Sequence, residues 1–231
     1  MKDTLLAGLP ALGLTLTEAQ TEQFCRYCGL LLEKNEVMNL TAIREPERVA
    51  ELHFLDSLTL LDAEPLAGKR LVDVGCGAGF PGLPLKLAEP SIRLTLLDSL
   101  GKRVAWLRDE LIPALGTEAD CVTARAEDFA AGNRERFDVA TSRAVARLNV
   151  LCELCLPLVR VGGCFLAMKG QDAAEELAEA KHAIRVLGGT VERVAEYPVA
   201  DAVHRVLVIR KTAPTPPCYP RAFAKIKKQP L

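Results

Sequence analysis

From residue 70 onward, short apolar runs alternate with longer stretches in which apolar positions recur at helical spacing. These runs, together with two more polar strand-like segments, predict seven strands, at 70–74, 93–97, 120–123, 137–141, 163–168, 190–197 and 203–210. The stretches between them predict helices at 82–89, 101–115, 147–158 and 172–187. Strands that alternate with helices in this way are typical of a doubly wound α/β sheet. A short loop joins the last two strands, which predict an antiparallel hairpin at the sheet edge.

Helical periodicity also precedes the first strand. Thr17 and Gln20 have the spacing of a capping box, which predicts a helix start. Pro46 predicts the start of a second helix, over 47–61. We therefore expect three parts, which are an N-terminal helical extension packed on the core (1–68), a Rossmann-like core (69–211) and a basic C-terminal tail (212–231). Four prolines between 212 and 220 predict an extended linker at the start of the tail.

The apolar runs and the cysteines predict the cellular compartment of the protein. No apolar run reaches the roughly 18 residues that a membrane span requires. The apolar stretch at 5–16 is interrupted by glycines and a proline, and it predicts a short packed helix rather than a signal peptide. Two C-x-x-C pairs, Cys25/Cys28 and Cys152/Cys155, lie in helix-like stretches and predict packing rather than a metal site. These features predict a reduced, cytoplasmic protein without a bound metal.

Charge is distributed unevenly along the chain. The net charge is −1, but residues 1–68 carry 5 basic and 11 acidic side chains, whereas residues 202–231 carry 7 basic and no acidic ones. A basic end on an otherwise acidic chain predicts a polyanionic partner, although a merely solvated tail has the same composition.

Candidate chemistry begins where the first strand ends. Asp73 is followed by Gly75, Gly77 and Gly79 at every second position, and Asp98 ends the next strand. Glycine turns sharply with positive φ and lets a ligand approach the backbone. A strand, a glycine turn, a helix and a second strand that ends in an acid together predict a site for an adenosine-containing cofactor.

Spacing alone leaves the identity of the cofactor open. Gly77, Gly79 and Gly82 also match the dinucleotide pattern, so that NAD(P) and a purely structural turn remain alternatives. Asp73 favours S-adenosylmethionine, because an acid there meets a cationic amino group better than a pyrophosphate. The acidic turn at 123–129 favours it as well, since its Ala-Glu pair or its Glu-Asp pair could flank an adenine.

Seven ordered segments of the chain resemble one family. They read Asn-Leu-Thr-Ala-Ile (39–43), His-Phe-Leu-Asp-Ser-Leu (53–58), Asp-Val-Gly-Cys-Gly-Ala-Gly-Phe-Pro-Gly-Leu-Pro-Leu (73–85), Leu-Leu-Asp-Ser-Leu-Gly-Lys-Arg (96–103), Ala-Arg-Ala-Glu-Asp-Phe (124–129), Thr-Ser-Arg-Ala-Val-Ala-Arg-Leu (141–148) and Ala-Met-Lys-Gly (167–170). In these segments the chain resembles the bacterial small-subunit ribosomal RNA methyltransferase G, also called glucose-inhibited division protein B. The resemblance covers nearly the whole chain.

The resemblance implies a class I S-adenosylmethionine-dependent methyltransferase fold with a seven-stranded, mostly parallel sheet. The implied reaction is methyl transfer from S-adenosylmethionine, which leaves S-adenosylhomocysteine, to N7 of a guanine in the 530 loop of 16S rRNA (guanine 527 in rRNA numbering). The implied partner is 16S rRNA, free or in a small-subunit particle, and we expect a monomer. The expected cofactor-binding residues are Asp73, Gly75, Gly77, Gly79, Phe80, Asp98, Ala126, Glu127 and Arg143.

RNA contacts are less specific in the sequence. Basic and aromatic positions near the sheet end and in the tail are candidates, and they are Arg147, Lys169, Tyr219, Arg221, Lys227 and Lys228. The alternative for Arg147 and Lys169 is that their side chains contact only water and not RNA. The family's tail pattern is Tyr-Pro-Arg-Arg followed by a glycine, whereas here Ala222 and Phe223 follow Arg221, so the tail contacts of this chain can differ.

Chemistry at guanine N7 needs no catalytic base, because this nitrogen has a free lone pair and no proton at neutral pH. The sequence offers no compelling acid–base pair, and Cys76 and Cys218 are poorly placed as nucleophiles. Catalysis by proximity and orientation is therefore expected. Methyl transfer to another acceptor, an NAD(P) oxidoreductase, and a non-catalytic assembly factor that binds S-adenosylmethionine are the competing hypotheses.

Overall fold

The computed structural model describes residues 1–143 and 145–231, so Ala144, within the quoted segment 141–148, lies outside the described residues. A seven-stranded sheet has the order β3-β2-β1-β4-β5-β7-β6. Strands β1 to β5 are parallel, while β7 is antiparallel to both β5 and β6. The strands are β1 (Arg70–Val74), β2 (Arg93–Asp98), β3 (Asp120–Thr123), β4 (Phe137–Arg143), β5 (Val159–Lys169), β6 (Gly189–Val199) and β7 (Ala202–Lys211).

This sheet confirms the predicted fold class and all seven predicted strands, with β5 four residues longer at its start than the pattern indicated. The hairpin is also confirmed, but only β6 lies at the edge, because β7 inserts between β5 and β6.

Helices cover both faces of the sheet. They are α1 (Lys2–Gly8), α2 (Glu18–Met38), α3 (Pro46–Val49), α4 (Asp56–Ala63), α5 (Gly82–Ala88), α6 (Gly101–Trp106), α7 (Ile112–Ala114), α8 (Ala126–Asn133), α9 (Leu148–Cys155), α10 (Ala173–Val186) and α11 (Phe223–Lys228). A π-helical turn, Ala50–Leu55, joins α3 to α4, and another, Leu107–Leu111, joins α6 to α7. The helix predicted over 47–61 is thus present and continuous.

The N-terminal helices form one layer of the core. The predicted capping box is present, since Gln20 N donates to Thr17 Oγ1 at 3.2 Å and Thr17 N donates to Gln20 Oε1 at 2.8 Å. From this start, α2 buries Phe24 and Tyr27 against the same core as Leu71 of β1. Val72, the next residue of β1, belongs to the core on the opposite face, with α9 and α10. The alternation along β1 therefore divides the protein into two helical layers around one sheet.

Two segments differ from their sequence-based interpretation. The acidic turn at 123–129 contains the start of a helix, α8, which pairs an acidic first turn with the positive helix N-terminus. The proline-rich segment 212–220 has no regular structure, but it is packed rather than extended away from the core. Thr215 is buried, and its hydroxyl donates to the Leu187 carbonyl at 2.7 Å. The segment is therefore an anchored part of the fold and not a free linker.

Three further observations concern the cysteines, possible metal ligands and the apolar helices. All eight cysteines are free thiols, and Cys152 and Cys155 are buried in α9. Among the described residues, no three His, Cys, Asp or Glu side chains are grouped as metal ligands would be. No helix in the described part of the chain combines the length and apolarity that crossing a membrane requires.

Candidate active site

A cavity of about 570 Å³ opens at the carboxyl ends of β1, β2 and β4. Ligands of open α/β sheets bind at this edge, where helices leave the sheet in opposite directions. Seven of the nine residues expected to bind the cofactor line the cavity, and these are Gly75, Gly77, Phe80, Asp98, Ala126, Glu127 and Arg143. The fold therefore brings together positions that lie far apart in the sequence.

The glycine loop forms the floor of this cavity. Gly75 and Gly77 have φ of +74° and +56°, a region that side chains other than glycine rarely adopt. A Cβ atom on Gly77 would have no atom of the protein closer than 4.0 Å, so the missing side chain leaves open space above the backbone. The amides of Gly75 and Cys76 both donate to the Leu97 carbonyl, at 2.7 and 3.1 Å, and hold the loop against β2.

Asp98 joins this loop to the next one. Gly77 N donates to Asp98 Oδ2 at 2.9 Å, and Leu100 N donates to Asp98 Oδ1 at 2.8 Å. The side chain is nearly buried, yet it lies on the cavity wall. Each carboxylate oxygen retains capacity for another donor, because each has two lone pairs and accepts one amide.

The other two expected residues, Asp73 and Gly79, lie behind the cavity wall. Asp73 is fully buried, and its Oδ2 accepts from Gly82 N, at the start of α5, at 2.8 Å. Its Oδ1 has no hydrogen-bond partner among the described residues. Burial raises the pKa of Asp73 to about 7, against the lowering effect of the Gly82 amide. A Cβ atom on Gly79 would lie 2.7 Å from Tyr27 Oη, so this glycine permits close packing of α2.

An aromatic stack forms one side of the cavity. The Phe80 ring stacks on Tyr27 with centroids 5.2 Å apart and on His53 with centroids 4.5 Å apart. The guanidinium carbon of Arg143 lies 5.0 Å from the Phe80 centroid, within the range of a cation–π contact. Burial and the nearby Arg143 lower the pKa of His53 to about 3, so its imidazole is neutral at physiological pH.

Arg143 is held by a polar network that the sequence did not reveal. Its Nη1 donates to Asp56 Oδ2 and to the Leu52 carbonyl, both at 2.9 Å, and its Nη2 lies 2.9 Å from His53 Nδ1. His204 Nδ1 lies 2.7 Å from the other oxygen of Asp56, and this contact raises the pKa of His204. Asp56 and His204 had no signal of their own, apart from the position of Asp56 in the resembling segment 53–58.

A second cavity, of about 430 Å³, adjoins the first, and Arg143 and Val145 line both. Two of the expected RNA-binding residues line it. Lys169 is nearly buried, and its ammonium contacts the Ala146 carbonyl and the Glu176 carboxylate, both at 2.7 Å. Arg147 is half exposed and pairs with Glu175 and Glu179 of α10. Both cations therefore have acidic partners in this conformation.

The remaining expected RNA-binding residues lie in the tail. Arg221 donates to both oxygens of Glu153, at 2.8 and 2.6 Å, and the side chain of Glu153 is completely buried. The guanidinium carbon of Arg221 lies 5.8 Å from the centroid of the Tyr219 ring. Lys227 and Lys228 are exposed on α11. The expected RNA contacts thus fall into one group at the second cavity and one group in the tail, and their roles stay predictions.

Comparison with known proteins gives the family. A sequence model described as "rRNA small subunit methyltransferase G" matches residues 20–204. Over all of this chain and 99% of the relative, the sequence is 47% identical to a protein named ribosomal RNA small subunit methyltransferase G from Alkaliphilus oremlandii. A protein of the same name from Pelotomaculum thermopropionicum is 46% identical over the same shares of both chains.

Solved structures add evidence on the fold. A 16S rRNA (adenine(1408)-N(1))-methyltransferase from Catenulisporales acidiphilia has a TM-score of 0.55 at 16% identity, over 68% of this chain and 91% of that one. The [4+2]-cyclase SpnF has a TM-score of 0.54 at 19% identity, over 70% of this chain and 82% of that one. The fold is that of the class I S-adenosylmethionine-dependent methyltransferases. Together with its full-length relatives, this fold shows that the chain belongs to the GidB family of small-subunit rRNA methyltransferases G.

Proposed function

We propose that this protein transfers a methyl group from S-adenosylmethionine to N7 of a guanine in the 530 loop of 16S rRNA. The observation that carries the proposal is the full-length identity of 46–47% to proteins named as ribosomal RNA small subunit methyltransferase G. The cavity supports it, because the residues expected from the family resemblance converge there. We further propose that the protein acts as a monomer in the cytoplasm.

The residues present fit the cofactor. Asp98 has free lone pairs for ribose hydroxyls, while Gly77 leaves its backbone open to a ligand. Ala126 and Leu100 offer apolar surface to an adenine, and Glu127 lies beside them at the N-terminus of α8. S-adenosylmethionine supplies an electrophilic methyl group when it is bound. The buried Oδ1 of Asp73, which has no partner among the described residues, lies behind the loop and favours a cationic ligand over a pyrophosphate.

The protein's contribution to the reaction is orientation rather than proton transfer. His53 is a titratable base within the aromatic stack, but both of its ring nitrogens are engaged, with Arg143 on one side and with Thr41 Oγ1 at 2.8 Å on the other. A neutral, doubly engaged imidazole is a poor general base. This arrangement agrees with an acceptor such as guanine N7, which has no proton to lose. Proximity and alignment can then supply the rate enhancement.

We propose that the acceptor base approaches from the second cavity. This cavity shares Arg143 and Val145 with the first, so a base in it would lie beside the cofactor site. Asp56 lies near this boundary and is almost fully buried, with one oxygen on Arg143 and the other on His204. A carboxylate there favours the positive charge that an N7-methylated guanine acquires.

The test is transfer of labelled methyl from S-adenosylmethionine to 16S rRNA. Naked rRNA and small-subunit particles, both from cells that lack this modification, are the two acceptors, and N7-methylguanine-specific strand cleavage maps the product. One cleavage in the 530 loop is the expected result, and the better acceptor identifies the physiological substrate. Intact binding of S-adenosylmethionine without transfer to either acceptor would favour a non-catalytic assembly factor or another methyl acceptor.

A further inference from the structure

We propose that Phe223, in the C-terminal helix α11, is a wall of the cofactor cavity at its adenine end and contributes directly to cofactor affinity. The identity of the ligand rests on the proposed function. The placement of the residue does not, because Phe223 lines the cavity of about 570 Å³ together with the glycine loop. The tail would then serve the cofactor as well as any RNA that its lysines attract.

The position within the cavity follows from the neighbours of Phe223. The guanidinium carbon of Arg125 lies 5.3 Å from the centroid of the Phe223 ring. Arg125 immediately precedes Ala126 and Glu127, which belong to the acidic turn expected to flank an adenine, and all three residues line the cavity. Leu154 of α9 is on the wall as well, and α9 packs against α11. Phe223 therefore lies beside Arg125, next to the acidic turn expected to flank an adenine.

A helix as short as α11 is not stable by itself, because nucleation of a helix is costly. Its position therefore depends on contacts with the core. Ile226, one turn after Phe223, is completely buried in the core on the α9 side of the sheet. Arg221, just before the helix, is paired with the buried Glu153. These two anchors flank Phe223 and hold its ring at the cavity.

A third anchor lies farther upstream in the tail. Lys211 is completely buried, and its ammonium donates to Thr215 Oγ1 at 2.7 Å and contacts Glu135 at 3.2 Å. Arg134 donates to the carbonyls of Thr215, Pro216 and Tyr219. The buried Lys211 and the half-buried Arg134 together fix the path of the tail over the core, and this path leads to Phe223 at the cavity.

The chemistry of the wall suits a purine. The Phe223 ring, beside apolar Ala126 and Leu154, offers a dry surface to a planar base. The guanidinium group of Arg125 already contacts this ring. Contact between a base and an aromatic side chain typically changes affinity by about tenfold when the side chain is removed.

Calorimetric titration of S-adenosylhomocysteine into the full-length protein tests the inference. Phe223→Ala should weaken binding by about tenfold, and Phe223→Trp should restore most of the affinity. Leu231→Ala is the matched control, because Leu231 packs against the same apolar cluster without lining the cavity. Thermal unfolding of each variant shows whether the fold is retained. Equal weakening in both alanine variants would overturn the inference, since general loosening of the tail would then explain the loss.

A second ligand tests the adenine end separately. 5′-Methylthioadenosine has the adenine and the ribose but no amino acid, and Phe223→Ala should reduce its affinity by the same factor. A loss confined to S-adenosylhomocysteine would overturn the assignment to the adenine end. Absence of binding by the wild-type protein would count against the proposed function instead, so the two failures are distinguishable.

Discussion

Tyr27, in the middle of α2, donates a hydrogen bond of 2.6 Å to the carbonyl of Ala78, in the middle of the glycine loop. The Tyr27 side chain is completely buried, and its ring lies parallel to that of Phe80. The loop that forms the floor of the cavity is therefore supported from behind by the N-terminal helical layer. Helices that precede the methyltransferase core in sequence thus take part in shaping its cofactor site.

We expect Tyr27→Phe to reduce both stability and cofactor affinity. The substitution leaves the nearly buried Ala78 carbonyl without its donor, which costs about 1–3 kcal/mol. Urea denaturation and titration of S-adenosylhomocysteine measure the two effects. Tyr197→Phe is the control, because Tyr197 donates to Asp62 at 2.6 Å and does not line the cavity. A loss of affinity as large in the control as in Tyr27→Phe would contradict a specific role for the loop contact.

Two glycine substitutions should change stability in opposite directions. Gly79→Ala places a methyl group 2.7 Å from Tyr27 Oη at a φ of +101°, so we expect a loss of at least about 2 kcal/mol. Gly29 lies on an exposed face of α2, where a methyl group would have no neighbouring atom within 4 Å, and Gly29→Ala should gain about 0.5–1 kcal/mol. Thermal unfolding of both variants shows whether close packing against α2 explains why position 79 is a glycine.

The buried carboxyl of Asp73 should make stability depend on pH. Its pKa is about 7 in the folded protein and 3.8 in an ordinary environment, so the folded state binds more protons between these values. Stability from this group is therefore present at low pH and is lost as the pH rises toward 7. Asp73→Asn removes the titration while it keeps an acceptor for Gly82 N. Its stability relative to the wild type should rise by about 2 kcal/mol between pH 5 and pH 7.5.

Urea denaturation at several pH values measures this difference. Asp109→Asn provides the comparison, because Asp109 is exposed and its partner Arg108 keeps its pKa low, so no titration is expected in this window. Parallel curves for Asp73→Asn and the wild type would show that Asp73 is ionised throughout.

The tail cations should separate into structural and RNA-binding residues. Arg221→Ala leaves the Glu153 carboxylate buried without its charge partner, which should cost about 3 kcal/mol of stability. Replacement of Lys227 and Lys228 by alanine should leave stability within about 0.5 kcal/mol, because both side chains are exposed. The double variant should instead bind a 16S rRNA fragment more weakly and with a smaller salt dependence. An unchanged salt dependence would remove both lysines from the RNA interface.

Asp98→Ala should weaken binding of S-adenosylhomocysteine by at least about tenfold, since it removes the acceptor of the Gly77 and Leu100 amides together with the expected ribose contact. Asp120→Ala, an exposed acid on the adjacent strand, is the control for charge alone. Calorimetric titration measures the affinity of both variants for S-adenosylhomocysteine. Affinity that stays at the wild-type value in Asp98→Ala would refute the ribose role.

The parts of the fold that the sequence predicts are those that local patterns determine. Most strands contain a short apolar run, and the Thr17 capping box is complete within four residues. Helix α8 was missed because it is short and its acidic first turn resembles a loop. The packing of 212–220 was missed for a different reason. Its anchors, Arg134 and Lys211, appear in sequence as ordinary surface cations, and only tertiary structure gives them their partners.

The residues of the candidate site likewise divide into those that spacing in the sequence identifies and those that only the folded structure reveals. The glycine loop and Asp98 have a fixed spacing, which follows from the turn and the strand that the ligand requires. Asp56 and His204 meet at the second cavity, and Phe223 reaches the first, only after folding brings distant elements together, so no spacing rule identifies them. Asp73 and Gly79 have the expected spacing but do not line the cavity, because spacing along the chain does not specify which residues of a turn reach the cavity surface.

The position of Phe223 also connects ligand binding to the order of folding. The floor of the cavity is formed by contacts between β1 and β2, whereas the Phe223 wall requires closure of a loop that spans most of the sheet, an entropically expensive contact of long sequence separation. We therefore expect the tail to dock late and to complete the cavity at that point. A cofactor that prefers the completed cavity stabilises the docked tail by mass action. Protection of the tail amides from hydrogen exchange would then rise with the cofactor concentration, which makes the C-terminal helix a reporter of cofactor occupancy.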